Sequence, residues 1–151
     1  MISVLRYLKY LRVILRHKWL VMLECFRVGL FYQGIVHDLS RFTPAEFFPY
    51  ANYFYGKKSL LNKVRFNSAW ELHKSRNKHH WEYWVTIRVG VPTEILEMPA
   101  KYMSEMICGW IAAGKIHANT TNIESWYNAN KDRIILHENT RMWVEDYIFG
   151  R

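Results

Sequence analysis

The stretch HDLSRFTPAEFFPYANYFYG, residues 37–56, decides the reading of this chain. Within it, Thr43-Pro44-Ala45-Glu46 has the form of a capping box: a Thr cap, Pro at the first helical position and Glu three residues after the cap. A helix is therefore expected to start at Pro44, and Gly56 is placed to end it. Just upstream stands the adjacent pair His37-Asp38, an imidazole beside a carboxylate. One short stretch thus predicts a helical element and carries the first two members of a candidate site.

Working outward, the same pattern repeats. Basic residues at 6, 9, 12 and 16 recur every three or four positions among Leu5, Leu8, Leu11, Val13, Ile14 and Leu15. That spacing predicts an amphipathic N-terminal helix over residues 1–16. A surface helix with a solvated basic stripe is preferred over a membrane or nucleic-acid contact. A second helical pattern runs from Lys18 to Val36. Ser59 can cap a helix whose pattern continues from Leu60 to Arg88 and stops before Gly90-Val91-Pro92. Another helix is expected from Pro99 to near Gly114. The tail 122–148 reads as one or two more, with Trp126, Tyr127, Ile134, Ile135, Trp143, Val144, Tyr147 and Ile148 as apolar contacts. No run alternates like a strand, and no Asn-Gly or Asp-Gly hairpin signal is present. The expectation is an all-α fold: one compact helical bundle over 1–151, with a metal-site core at 17–114 and C-terminal helices at 122–148.

Composition bounds the function. With 151 residues, half of them hydrophobic, and 7 Trp, 10 Tyr and 8 Phe, the chain can build a substantial core and is not a disordered or low-complexity protein. No stretch of about 18 residues is free of charge, and the N-terminal segment lacks a small-residue cleavage site. The chain is expected neither to span a membrane nor to be exported, which places it in the cytoplasm. Cys25 and Cys108 each sit in apolar surroundings and read as buried thiols of a reducing compartment. A formal net charge of +8 favours anionic partners: nucleotides, nucleic acid or an acidic surface.

The seven His are unevenly spread. His17, the doublet His37-Asp38, the group His73, His79 and His80, and Glu105 supply imidazoles and carboxylates. That mixture suits zinc, iron, manganese or nickel. On one continuous helix His73, Asn77 and His80 share a face and His79 points elsewhere. His17 shares a face with Glu24, and Glu105 with Gly109. Several helices could each offer one or two ligands inward, as metal sites in bundles do. His117 and His137 read as ordinary core or surface histidines. A purely structural polar network is the plainer alternative for the whole cluster.

The residues His37-Asp38-Leu39-Ser40-Arg41-Phe42 resemble the His-Asp signature of the HD superfamily of metal-dependent phosphohydrolases. An upstream His17 and later His73 and His79-His80 resemble its binuclear members, including the HD-GYP type. The wider sequence, with HDLSRFTPAEFFPYANYF, FNSAWELHKSRNKHHWEYW and MPAKYMSEMICGW, is similar over roughly His17 to Trp110 to a family of uncharacterised phage and bacterial proteins, a domain of unknown function. The resemblance implies one or two divalent ions held by His17, His37, Asp38, His73, His80 and Glu105. Asp38, His73 and Glu105 would take the catalytic part in hydrolysing a phosphate ester, with a nucleotide among the candidate substrates. Arg41, Lys74, Arg76 and Lys78 would meet the phosphate, although a solvated basic face accounts for them as well. Trp70, Trp81 and Trp84 could stack on a base, but aromatic residues at this spacing are read as core.

This sequence departs from the family pattern at Cys108-Gly109-Trp110, where the family carries Asp at the position of Gly109. Glu105, one turn earlier, could replace it, the site could hold a single ion, or catalysis could be lost. Two rival functions follow: an iron-dependent HD-like oxygenase using the same ligands, and a non-enzymatic basic phage protein that binds nucleic acid or a host protein.

Overall fold

The computed structural model describes residues 2–117 and 122–150; residues 1, 118–121 and 151 lie outside it. The described chain is mainly helical, as expected, with seven α-helices and one small hairpin. The helices are α1 (Ile2–Arg27), α2 (Phe31–Val36), α3 (Pro44–Tyr55), α4 (Leu60–Arg76), α5 (Ala100–His117), α6 (Ile123–Asn130) and α7 (Glu138–Phe149).

The first pattern runs on into the second without interruption, but the helix expected from Lys18 to Val36 is broken after Arg27, where Gly29 takes a left-handed turn at φ +78° and α2 begins afresh at Phe31. Tyr10, Ile14, Val21, Glu24 and Cys25 are buried along α1, a stripe at helical spacing that carries His17 inward as well. The basic stripe is only partly solvated: Lys9, Arg12 and Arg16 are exposed, but Arg6 donates to Asn52 Oδ1 of α3 (3.0 Å).

Helix α3 starts at Pro44 and stops before Gly56 as expected. A Cβ at Gly56 would lie 2.4 Å from the Asn52 carbonyl oxygen, so only glycine fits there. The capping box itself does not form. The Thr43 hydroxyl donates to the Ser40 carbonyl (2.7 Å) rather than accepting from the helix, and the Glu46 side chain is turned inward and fully buried.

The helix expected from Leu60 to Arg88 ends twelve residues early. Ser59 caps it, accepting from the Asn62 amide (3.2 Å). At the other end the Asn77 side chain donates to the His73 carbonyl (2.7 Å), replacing the backbone bond that would have continued the helix. The chain then turns through 78–80, makes a 3-10 turn over Trp81–Trp84 and forms a hairpin of β1 (Val85–Arg88) and β2 (Val91–Ile95). The strands are antiparallel, with Val85 opposite Ile95 and Thr86 opposite Glu94. Their β-branched residues favour extension, and Gly90 takes the left-handed turn position at φ +76°.

Three apolar clusters hold the fold. Met103, Met106, Ile107, Tyr127, Val144 and Ile148 join α5 to α6 and α7. Tyr10, Ile14, Tyr50, Ala51 and Ala69 join α1, α3 and α4. Val21, Cys25, Cys108 and Ala112 pack α1 against α5, and both cysteines are free buried thiols, as the composition suggests. No helix is long and apolar enough to cross a membrane among the described residues.

Candidate metal centre

Between these clusters α1, the α2–α3 connection, α3, α4, the turn 78–80 and α5 each turn a polar side chain inward. Asp38 is central. It is the one described non-glycine residue at positive φ (+55°), a conformation that Asp tolerates better than most and that often marks a functional position. This backbone turn directs the carboxylate into the protein, where it is 3% exposed.

Imidazoles surround that carboxylate. Asp38 Oδ1 lies 3.2 Å from His79 Nε2, 3.3 Å from His73 Nε2 and 3.7 Å from His37 Nε2. Asp38 Oδ2 lies 3.6 Å from His17 Nε2 and 2.7 Å from Arg41 Nε. Yet Asp38 Oδ1, His73 Nε2 and His80 Nε2 are all buried without a hydrogen-bond partner. Buried polar atoms are rarely left this way. Two donors bound to one ion at about 2.1 Å lie about 3.0–3.4 Å apart for right-angled to tetrahedral arrangements, close to the spacings around Asp38.

The donors fall into three overlapping groups, each within 4.8 Å: Asp38, His73, His79 and His80; His17, His37 and Asp38; and His37, His79 and Glu105. The first two share Asp38, whose two oxygens face different imidazoles. Three of the rings also have a carboxylate anchor on their far side. His73 Nδ1 lies 2.8 Å from Glu46 Oε2, which also accepts from the Ser40 hydroxyl (3.0 Å). His37 Nδ1 and His79 Nδ1 lie 2.9 and 3.2 Å from Glu105 Oε1. A carboxylate on Nδ1 fixes the tautomer that leaves Nε2 free to bind, the usual support of a metal-bound histidine.

The charges are unusual for a buried site. Burial opposes ionisation of Asp38, but Arg41 and His37 hold its carboxyl well below the usual range. Burial likewise opposes a charge on Glu105, and its bonds to His37 and His79 reverse the effect, so it too is pulled down. Burial pushes His17 down to about 3, and with the neighbouring His79 charge it lowers His37 and His80 as well. Those shifts favour the neutral ring, the form a metal requires. His79 alone moves up, to about 9: burial opposes its charge, but Asp38 and Glu105 on either side outweigh that.

The structure thus brings together His17, His37, Asp38, His73, His80 and Glu105, and it adds two residues. His79, expected to point away, lies between Asp38 and Glu105, because α4 ends before it and helical spacing no longer applies. Glu46 was read as a cap and is instead the buried partner of His73. The cations divide. Arg41 lines the cavity over the centre, a space of about 510 Å³ that Trp70, Trp81 and Gly109 also border. Lys74 pairs with Glu71 (2.8 Å), Lys78 lies over Tyr83 and Tyr102, and half-exposed Arg76 reaches to 3.7 Å of Glu46; none of the three borders that cavity. Trp84 packs in the core against Tyr102, whereas Trp70 and Trp81 serve both core and cavity wall. His117 sits at the end of α5, and His137 accepts from the Asn139 amide at the start of α7.

A Cβ at Gly109 would stand 3.7 and 3.9 Å from His37 Cε1 and Nε2, ordinary contact distances. The position therefore opens directly onto the imidazole that faces Asp38.

A profile described as "Family of unknown function (DUF5662)" matches residues 6–149. The chain belongs to this family. DUF5662 therefore covers every donor of the centre, from His17 to Glu105, and both outer carboxylates. No curated protein and no solved structure matches the chain.

Proposed function

We propose that this member of DUF5662 is a divalent-metal-dependent hydrolase of phosphate esters. The observation that carries the reading is the convergence of unpartnered, buried metal-ligand atoms on one point: Asp38 Oδ1 with the Nε2 atoms of His73 and His80. His80 Nε2 in particular is buried beside this group and faces no polar partner among the described residues. Asp38, His73, His79 and His80 would hold one ion, and His17, His37 and Asp38 a second. Three buried carboxylates, Asp38, Glu46 and Glu105, meet here with Arg41 beside Asp38 and Arg76 beside Glu46, and an ion bound by His79 would displace its proton and take over its positive charge.

An ion bound there supplies hydroxide from water near neutral pH and neutralises charge on a phosphoryl oxygen. The chain's own residues do the rest. Glu46 and Glu105 hold His73, His37 and His79 in one tautomer, with Nε2 turned to the centre. Arg41 presents a cation next to Asp38 at the cavity wall, where it can pair with a phosphate. Trp70 and Trp81 wall the cavity and restrict water around the reacting group.

The test is elemental analysis of protein purified without added metal or chelator, with the His37→Ala/Asp38→Ala double variant beside it. Release of phosphate from simple esters is measured on the same samples. Near-stoichiometric manganese, zinc or nickel that the double variant lacks, together with phosphate release, supports the reading. Iron without phosphate release points to an oxygenase built on the same ligands, and no metal after reconstitution overturns the proposal.

A further inference from the structure

A second cavity, of about 290 Å³, opens beside the metal centre, and His17, Arg41 and Trp70 border both spaces. Its far walls are apolar, formed by Ile14, Phe54, Phe66 and Ile116. Where it meets the centre, three polar groups gather. The Arg41 guanidinium lies 5.0 Å from the centre of the Tyr50 ring, and the Tyr10 and Tyr50 rings stack 5.9 Å apart. Both tyrosines are at least 97% buried; Arg41, which can only donate, lies against the Tyr10 hydroxyl, and neither hydroxyl has an acceptor for its proton among the described residues.

Two hydroxyl donors without acceptors beside a guanidinium form a receptor for an oxyanion. Burial raises both tyrosines, Tyr10 to about 12, so their protons stay in place to be donated. The apolar walls require a different partner. A nucleobase would lose water from its ring nitrogens and exocyclic groups and find, beyond Arg41 and the two tyrosines, only the rings of His17, Trp70, Tyr55 and His117 with a polar atom to replace it in an otherwise apolar lining. A hydrocarbon or plain aryl group loses nothing there.

We infer that this chamber selects the substrate: it takes the apolar organic body of a phosphate ester whose head is held by Arg41, Tyr10 and Tyr50 beside Asp38. The inference rests on the hydrolase reading and narrows its substrate class from phosphate esters in general to amphipathic ones. A volume of about 290 Å³ lies at the lower edge of the ~300–1,000 Å³ typical of small-molecule pockets, which suits a short chain or a single ring.

The test is calorimetric titration of the manganese-loaded full chain with methylphosphonate and hexylphosphonate, which mimic the ester but lack its hydrolysable bond. Each methylene fully buried strengthens binding about fourfold, so the five extra carbons should give hexylphosphonate an advantage of at least about tenfold even with partial burial. Tyr10→Phe/Tyr50→Phe should weaken both ligands, and Ile116→Trp should bring their ratio close to one. Equal affinities in the parent protein would overturn the chamber assignment. So would failure of both ligands to bind a sample whose manganese content is confirmed, leaving the metal centre standing. A chain that takes up no manganese would remove the hydrolase reading and this inference with it.

Discussion

Glu46→Gln separates a metal centre from a structural network. The substitution keeps the shape of the side chain but removes the charge from a fully buried group that lies 2.8 Å from His73 Nδ1. If His73 binds an ion through Nε2, loss of the outer carboxylate weakens metal affinity by roughly 10–100-fold. At a free metal concentration of 1,000 times Kd the parent gains about 4.1 kcal/mol from metal. The variant at the same concentration retains only about 1.4–2.7 kcal/mol of that gain. The assay is urea denaturation of both proteins with manganese and with chelator, read as the difference between the two conditions for each protein. That difference removes any effect of the substitution on metal-free folding. An equal increment in the two proteins, or none in the parent, refutes the reasoning.

Three further outcomes are expected. Gly109→Asp extends a carboxylate from a Cβ site 3.9 Å from His37 Nε2, so it should raise the bound metal per chain measured by elemental analysis, and unchanged content would show that the opening is not a ligand position. Asn77→Ala removes the bond to the His73 carbonyl and a second bond to the Ser40 hydroxyl (3.0 Å); a loss of about 1–3 kcal/mol in urea denaturation of metal-free protein is expected. Glu24 joins α1 to Lys115 of α5 and to Arg27, and although burial raises its pKa, those two cations bring it below the usual carboxylate value. A depressed carboxylate stabilises the fold above its unfolded pKa and loses that contribution as pH falls through the folded value. Glu24→Gln should therefore flatten the stability profile below about pH 5, where an unperturbed Glu of pKa about 4.3 begins to protonate.

The helical class, the start at Pro44, the stop at Gly56 and the Ser59 cap were legible because each depends on a local rule about free amides or a missing Cβ. Two readings went wrong where a side chain found a better partner than the local one. Glu46 has the spacing of a capping box, but Tyr50, one turn later on the same face, is buried, and that face turns the carboxylate inward to His73. Asn77 was read as one position on a helix face, whereas its amide ends the helix, and that end frees His79 to enter the site. The hairpin had β-branched residues as its signal but lacked the Asn-Gly or Asp-Gly turn that usually reveals one. His17, His37, Asp38, His73, His80 and Glu105 were picked out by the uneven clustering of the imidazoles and by their HD-like order along the chain, and the fold gathers these side chains. The association of Arg41 with Tyr10 and Tyr50 was not, because nothing in their spacing brings α1, α3 and the connection before α3 to one point.

His37 and Glu105, which touch in the folded protein, are 68 residues apart in sequence, and the donors around them come from five separate segments. Such a ring closes only after long loops have been ordered, and contacts of this range form slowly. Metal therefore cannot template an early helix pair, as it can in a zinc finger whose ligands are near neighbours. On the metal reading the ion would act as a latch on a finished fold, so amide exchange throughout α1, α4 and α5 should slow together when manganese is added, rather than in any one helix.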